Sequence, residues 1–301
     1  MNSQIDSIIG QIGLHLLGKG HQIKQSLCCI LGNGHLLIED VPGVGKTTLA
    51  HTLAVSLGLS YQRVQFTSDM LPADLIGVSI FDQSKHEFTF HKGPVFSQLL
   101  LADEINRASP KTQSALLEAM AEQQVSVDGE TYSLPAPFFV IATQNPLDHS
   151  GTFELPDSQL DRFMMRVCLG FPSVEAEKQM LNNPQASLDD VKQVIDIKEL
   201  QSLQAQVKRV SANDAVIDYL LALVNETRIN RHYPHALSPR ASKAILSAAK
   251  AWAFIEGRDY VLPDDIQMVL PSVTEHRLRG GDQRGGHSLS EHLLHSINPL
   301  G

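Results

Sequence analysis

Short apolar runs without polar alternation recur through the first part of the chain, each leading into a turn or a helical pattern. Leu36-Leu37-Ile38, Leu99-Leu100-Leu101-Ala102 and Phe138-Phe139-Val140-Ile141-Ala142-Thr143 are of this kind. Strands covered on both faces read this way, as in a parallel sheet between layers of helices. Tyr61 to Phe66 alternates and predicts a further strand, and Phe163 to Leu169 predicts a fifth. Helical spacing comes first: Ile5, Ile8, Ile9 and Ile12, then Ile23, Leu27, Ile30 and Leu31. The prediction for residues 1 to 34 is a helical hairpin packed on the core. Gly18-Lys19-Gly20 breaks it, and a place beside a nucleotide base is the functional alternative for that break.

Ser109-Pro110 marks a helix start, with serine at the N-cap and proline in the first turn. That helix is predicted to run to about Glu122, with Ala115, Leu116, Ala119 and Met120 as its apolar stripe. The stretch from Met70 to Gly93 reads as irregular, but Val78 to Phe81 and Glu87 to Phe90 predict a hairpin closed by Asp82 to His86. Val125 to Leu134 predicts a second hairpin, with Asp128-Gly129 as a type I′ turn. Past Gly170-Phe171-Pro172 the pattern becomes helical. Ser173 is a predicted N-cap, and helices are expected around 189–208, 213–230, 239–256 and 263–277. Residues 280–287, GGDQRGGH, read as flexible, and Ser288 to Ser296 as a last helix. The expected organisation is an α/β unit over 1–170, with hairpin inserts near 78–90 and 125–134, and a smaller all-helical unit over 171–301.

Candidate chemistry sits where the apolar runs end. His35 to Ala50 reads HLLIEDVPGVGKTTLA: a strand, a glycine-rich turn and a helix opening on Gly-Lys-Thr. This is the context of a phosphate-binding loop. Gly43 and Gly45 let backbone N–H groups curl around phosphate oxygens, and the helix N-terminus adds its unpaired amides. The candidate binding residues are Pro42, Gly43, Val44, Gly45, Lys46, Thr47 and Thr48. Lys46 would reach the β- and γ-phosphates, and the Thr47 hydroxyl would ligate Mg²⁺. The strict pattern has a further glycine where this chain has Asp40.

Asp103-Glu104 follows the Leu99 run, at the strand end where parallel α/β sheets bind ligands. Asp103 would hold Mg²⁺ through its water shell, and Glu104 would polarise the attacking water. Asn145, in Gln144-Asn145-Pro146, closes the next run. Its amide is either a water- or phosphate-binding group or a turn residue before proline.

With 301 residues, 43% of them hydrophobic, the chain can bury a sizeable core and fits two domains. The formal net charge of −9 and the lack of a Lys/Arg tract disfavour a nucleic-acid surface. No basic leader with a long apolar run begins the chain, and no run is long enough to span a membrane. Cys28, Cys29 and Cys168 show neither metal spacing nor an even disulfide framework, which fits a reducing cytoplasm. His292 and His295 with Glu291 do not form a recognised metal motif.

Taken together, GVGKTTLA, LLLADEINRASPKTQSALLEAMAEQQV, FFVIATQNP, LPDSQLDRF and SPRA resemble the MoxR family of AAA+ ATPases, in order and spacing, over roughly residues 10 to 280. The resemblance implies a P-loop AAA+ core with a five-stranded parallel sheet and a helical lid. It implies ATP and Mg²⁺ as cofactors. It assigns Lys46 and Thr47 to Walker A, Asp103 and Glu104 to Walker B, and Asn145 to sensor 1. Arg162 matches an arginine finger reaching a neighbour's nucleotide, and Arg240 matches sensor 2, acting on its own or a neighbour's site. Arg107 is a further inter-subunit candidate. The hairpins match inserts that face a central pore and touch a protein client. The resemblance also implies a hexameric ring, a chaperone-like remodelling role, and a separate partner carrying a von Willebrand factor A domain. Three other uses of the core compete: a nucleic-acid motor or loader, a binding switch without turnover, and a small-molecule kinase. The acidic balance disfavours the first and Glu104 the second. Arg162 and the two hairpins disfavour the third.

Overall fold

Apolar runs at the predicted places form parallel strands in the computed structural model. The structure describes residues 3–84, 86–145, 151–182, 187–279 and 288–298. Helices α1 (Ser3–Gly13) and α2 (Gly20–Leu31) precede β1 (Leu36–Glu39), and α3 (Lys46–Ser56), β2 (Tyr61–Gln65) and the short α4 (Pro72–Ile76) follow. The hairpin of β3 (Gly77–Asp82) and β4 (Glu87–Lys92) leads into β5 (Leu99–Asp103) and α5 (Pro110–Glu122). Then come the hairpin of β6 (Gln124–Val127) and β7 (Glu130–Ser133), β8 (Phe139–Gln144), α6 (Asp157–Leu160) and β9 (Met165–Val167). The remainder is helical: α7 (Val174–Asn182), α8 (Ile197–Arg209), α9 (Asp214–Ile229), α10 (Pro239–Ile255), α11 (Pro263–Arg279) and α12 (Leu289–Ser296).

Among the described residues the main sheet has five strands in the order β2-β5-β8-β1-β9, and every recorded pairing in it is parallel. Successive side chains on a strand point to opposite faces, so the apolar runs feed two cores. Leu36, Ile38, Leu99, Leu101, Phe139 and Ile141 pack with α1, α2, α3 and the C-terminal helices. Leu37, Leu100, Ala102, Val140 and Ala142 pack with α5 on the other face. Three of the helices that close these cores carry a side-chain cap at their start. Ser109 accepts from Thr112 N at α5, Asn213 from Val216 N at α9, and Ser238 from Ala241 N at α10. No helix among the described residues is long and apolar enough to cross a membrane.

Several boundaries differ from expectation. The fifth strand is only Met165–Val167, because β1 pairs with it only through Leu36–Ile38. The helix expected at 189–208 begins at Ile197, where Asp196 caps Glu199 N. Ahead of it Val194 N and Ile195 N donate to Ser56 O, which ties an extended segment to the end of α3. The irregular stretch after Met70 holds α4, whose start is fixed by Asp74 accepting from Leu71 N. Asp128 (φ 53°) and Gly129 (φ 85°) both have positive φ, as a type I′ turn requires. Pro146 and the 280–287 segment lie outside the described residues. His292 packs on the ring of His232 and bonds Tyr233 Oη through Nδ1 at 3.0 Å.

Candidate functional site

The carboxyl ends of β1, β5 and β8 lie side by side in the sheet, so the turns that follow them share one edge. After β1 the chain turns through Gly43 (φ 83°) and Gly45 (φ 100°), left-handed values that favour glycine. Gly45 is also the N-cap of α3, and a Cβ there would lie 2.7 Å from Leu16 Cδ1. Val44 turns inward into the same core cluster as Leu16, so it can serve a ligand only through its backbone. Pro42, Gly43, Gly45, Lys46, Thr47 and Thr48 line a cleft of about 390 Å³ together with Asp103, Glu104 and Asn145. Three separate stretches of sequence thus meet on one cavity.

Lys46 Nζ donates to the backbone carbonyl of Asp40 at 2.5 Å. Partial burial pushes its pKa down, and Asp40, Asp103 and Glu104 pull it back up. The Asp40 carboxylate does not point at the cleft's lysine. Its Oδ1 accepts from Val41 N at 2.9 Å and its Oδ2 from Gly170 N at 2.5 Å.

The acidic pair is held from several sides. Thr143 Oγ1 donates to Asp103 Oδ1 at 2.6 Å and accepts from Glu104 N at 2.9 Å. Glu104 sits at φ 55°, ψ 50°, an uncommon conformation for a non-glycine residue. Such backbone is retained where surrounding contacts determine it. Two residues that sequence reasoning missed complete the cluster, Arg63 and Gln65 on β2. Arg63 Nη2 reaches Asp103 Oδ2 at 2.6 Å, and Gln65 Nε2 donates to Glu104 Oε2 at 2.6 Å. Arg107 Nε lies 2.9 Å from Glu104 Oε2. The available signal was position: β2 ends at the edge where Asp103 emerges, with Gln65 in register with Asp103.

The two other predicted arginines stay off this cleft. Arg162 Nη1 donates to Leu117 O on α5 at 3.0 Å. Arg240 is more than half exposed, and its Nη1 lies 3.8 Å from Asp161 Oδ2. Asp161, directly before Arg162, also accepts from Arg277 Nε at 2.8 Å and from Ser238 Oγ at 3.1 Å. One carboxylate therefore fastens the end of α6 to the first turn of α10 and to α11.

The family profile described as "ATPase family associated with various cellular activities (AAA)" matches residues 35–165. A second, described as "AAA lid domain", matches residues 225–294. The uncharacterised protein YeaC of Bacillus subtilis is 45% identical over 265 residues, covering 87% of this chain and 83% of that one. Chaperone MoxR1 of Mycobacterium tuberculosis is 39% identical over 283 residues, covering 91% of this chain and 75% of that one. The crystal structure of a candidate ATPase from Cytophaga hutchinsonii superposes with a TM-score of 0.88 at 37% identity. It covers 98% of this chain and 94% of its own.

Proposed function

The chain belongs to the MoxR family of AAA+ ATPases and hydrolyses ATP, and we propose that it does so at the interfaces of a ring, hexameric by family resemblance, to remodel partner protein complexes. The observation that carries this reading is the meeting of Lys46, Thr47, Asp103, Glu104 and Asn145 on one cleft while Arg162 points away from it. In the proposed mechanism the turn from Pro42 to Thr48 cradles the phosphates with backbone N–H groups, and Lys46 binds their β- and γ-oxygens. Glu104 accepts a proton from the attacking water and Asn145 orients that water or the γ-phosphate. Arg162 from a neighbouring subunit stabilises charge developing on the γ-phosphoryl, and Arg240 moves with the lid. Mg²⁺ fits the donor set, since Thr47 and Asp103 offer hard oxygen ligands on the same cleft. When bound, that ion neutralises phosphate charge.

A protein client is proposed because β3 and β4 expose Val78, Ile80, Phe81 and Phe88, the last of these 72% exposed. The proposed partner is a separate protein with a von Willebrand factor A domain, and the proposed location is the cytoplasm. The proposed boundary between core and lid is near Gly170, as the change in pattern there suggests. The test is steady-state ATPase rate per subunit against protein concentration, with assembly mass measured alongside. Specific activity is expected to climb as the ring forms. A flat profile with a fully active monomer would overturn the shared site, and stimulation by DNA would point to a loader instead.

A further inference from the structure

The break at Gly18-Lys19-Gly20 and the departure at Asp40 meet at one place, the junction where β9 passes into the helical tail. Lys19 is only 6% exposed, and its ammonium donates to the carbonyls of Leu169 at 2.7 Å, Gly170 at 3.0 Å and Phe171 at 2.6 Å. From the opposite side Gly170 N donates to Asp40 Oδ2 at 2.5 Å. Gly170 has φ +65°, so the junction turns through a conformation that favours glycine. Gly18 backs directly onto α7, where a Cβ on it would lie 3.0 Å from Ala176 Cβ.

Asp40 is the residue common to this junction and to the phosphate loop. Its carbonyl takes the Lys46 ammonium, its N–H donates to Gln144 O beside Asn145, and its carboxylate holds Gly170. A glycine here, as in the strict loop pattern, would leave the junction without that acceptor. We propose that Asp40 is a positioning residue that couples Lys46 to the core–lid junction, so that phosphate binding by Lys46 changes how firmly Gly170 is held. This rests on the reading of Lys46 as a phosphate ligand. A phosphate is a stronger acceptor for an ammonium than a neutral carbonyl. With three N–H donors, the Lys46 ammonium can turn toward a phosphate while keeping or loosening its bond to the Asp40 carbonyl, and that carbonyl belongs to the residue that holds the junction. Such an element transmits a bias, and the coupling is reciprocal.

The test is hydrogen–deuterium exchange of the full chain with and without ATP and Mg²⁺, with mant-ATP fluorescence as a parallel binding readout. In the wild type, saturation is expected to change the exchange rate of the peptide carrying Gly170 by about tenfold, within the usual range of coupling between sites. Asp40→Ala is expected to bind mant-ATP while this response collapses to under about twofold, below the coupling range. Protection in β5 and β8 checks that the variant is folded. Should it fail that check, Asp40→Ser decides in its place, since its short hydroxyl can serve Val41 N and not Gly170 N. A full response in the variant, or a wild type that binds mant-ATP with no response at the junction, overturns the coupling. A wild type that binds no mant-ATP overturns the nucleotide-site reading itself.

Discussion

The cleft and the arginine pair differ in how they are finished. At the cleft the acidic side chains are fixed by contacts within the chain: Asp103 by Arg63 and Thr143, Glu104 by Gln65 and Arg107. Arg162 and Arg240, by contrast, rest on a helix carbonyl and at the edge of a carboxylate, with no reacting group beside them. The acidic pair is finished within the chain, whereas Arg240 is displayed and Arg162 lies half-buried off the cleft. Such an arginine has a use when another subunit brings phosphates to it. This contrast is the physical reason to expect a shared site.

The largest predicted effect tests that division directly. Arg162→Ala is expected to lower ATP turnover by about 10³–10⁵ in an assembled ring, the usual worth of an arginine finger. Glu104→Gln is expected to lower it by about 10²–10⁴ while nucleotide still binds. Mixing the two sharpens the comparison. An Arg162→Ala subunit keeps a good cleft, and a Glu104→Gln subunit keeps a good finger. Mixed rings should therefore regain turnover, measured as phosphate release across mixing ratios. No recovery in rings shown to be mixed would place finger and cleft in the same subunit.

The next effect is on stability and concerns how the displayed side is anchored. Asp161 bonds Arg277, which is buried, and Arg277 Nη2 also donates to Phe163 O at 2.7 Å. Asp161→Ala would leave a buried guanidinium without its carboxylate, a loss of about 3–5 kcal/mol. Denaturant unfolding should show it. Arg63→Ala, which removes a half-exposed partner of Asp103, should cost under about 1 kcal/mol. Equal losses from the two variants would overturn this ranking of a buried arginine pair over a half-exposed one.

The same contrast governs what the sequence makes legible. Strand positions, the phosphate loop and the Asp103-Glu104 pair are readable because each is a contiguous string whose residue order is its geometry. The type I′ turn at Asp128-Gly129 and the cap at Ser109 are readable for the same reason. Arg63 and Gln65 are not, since β2 is distant in sequence and becomes a neighbour of β5 only through the sheet order. Lys19 and Asp161 are equally hidden. Their partners are backbone carbonyls and an arginine far along the chain, which no local pattern encodes. The start of α8 was missed because an extended segment tied to Ser56 carries the same apolar residues a helix would.

The last predicted effect follows pH and reports on the two regions separately. His35, at the foot of the cleft's strands, accepts from Val140 N through Nδ1 at 3.0 Å, so Nε2 carries the proton toward Met120 O. Protonation would set an N–H against an N–H. Burial, partly offset by Met120 O, pushes its pKa down to about 4. His276, on α11 against Phe163 O, is pushed well below the usual value by burial and by Arg277 and Arg166. Both are neutral when folded and take up a proton near pH 6.5 when unfolded. The unfolded state therefore binds more protons as pH falls, and stability drops below about pH 6.5, with the His35 share levelling off near its folded value of about 4. The expected loss is about 1–3 kcal/mol per histidine, measured by denaturant unfolding between pH 7 and pH 4.5. His276→Gln should remove only the share belonging to the arginine side, and His35→Gln only the share belonging to the cleft. If either substitution flattened the whole acid limb, that histidine alone would carry the titration, and the share assigned to the other region would be overturned.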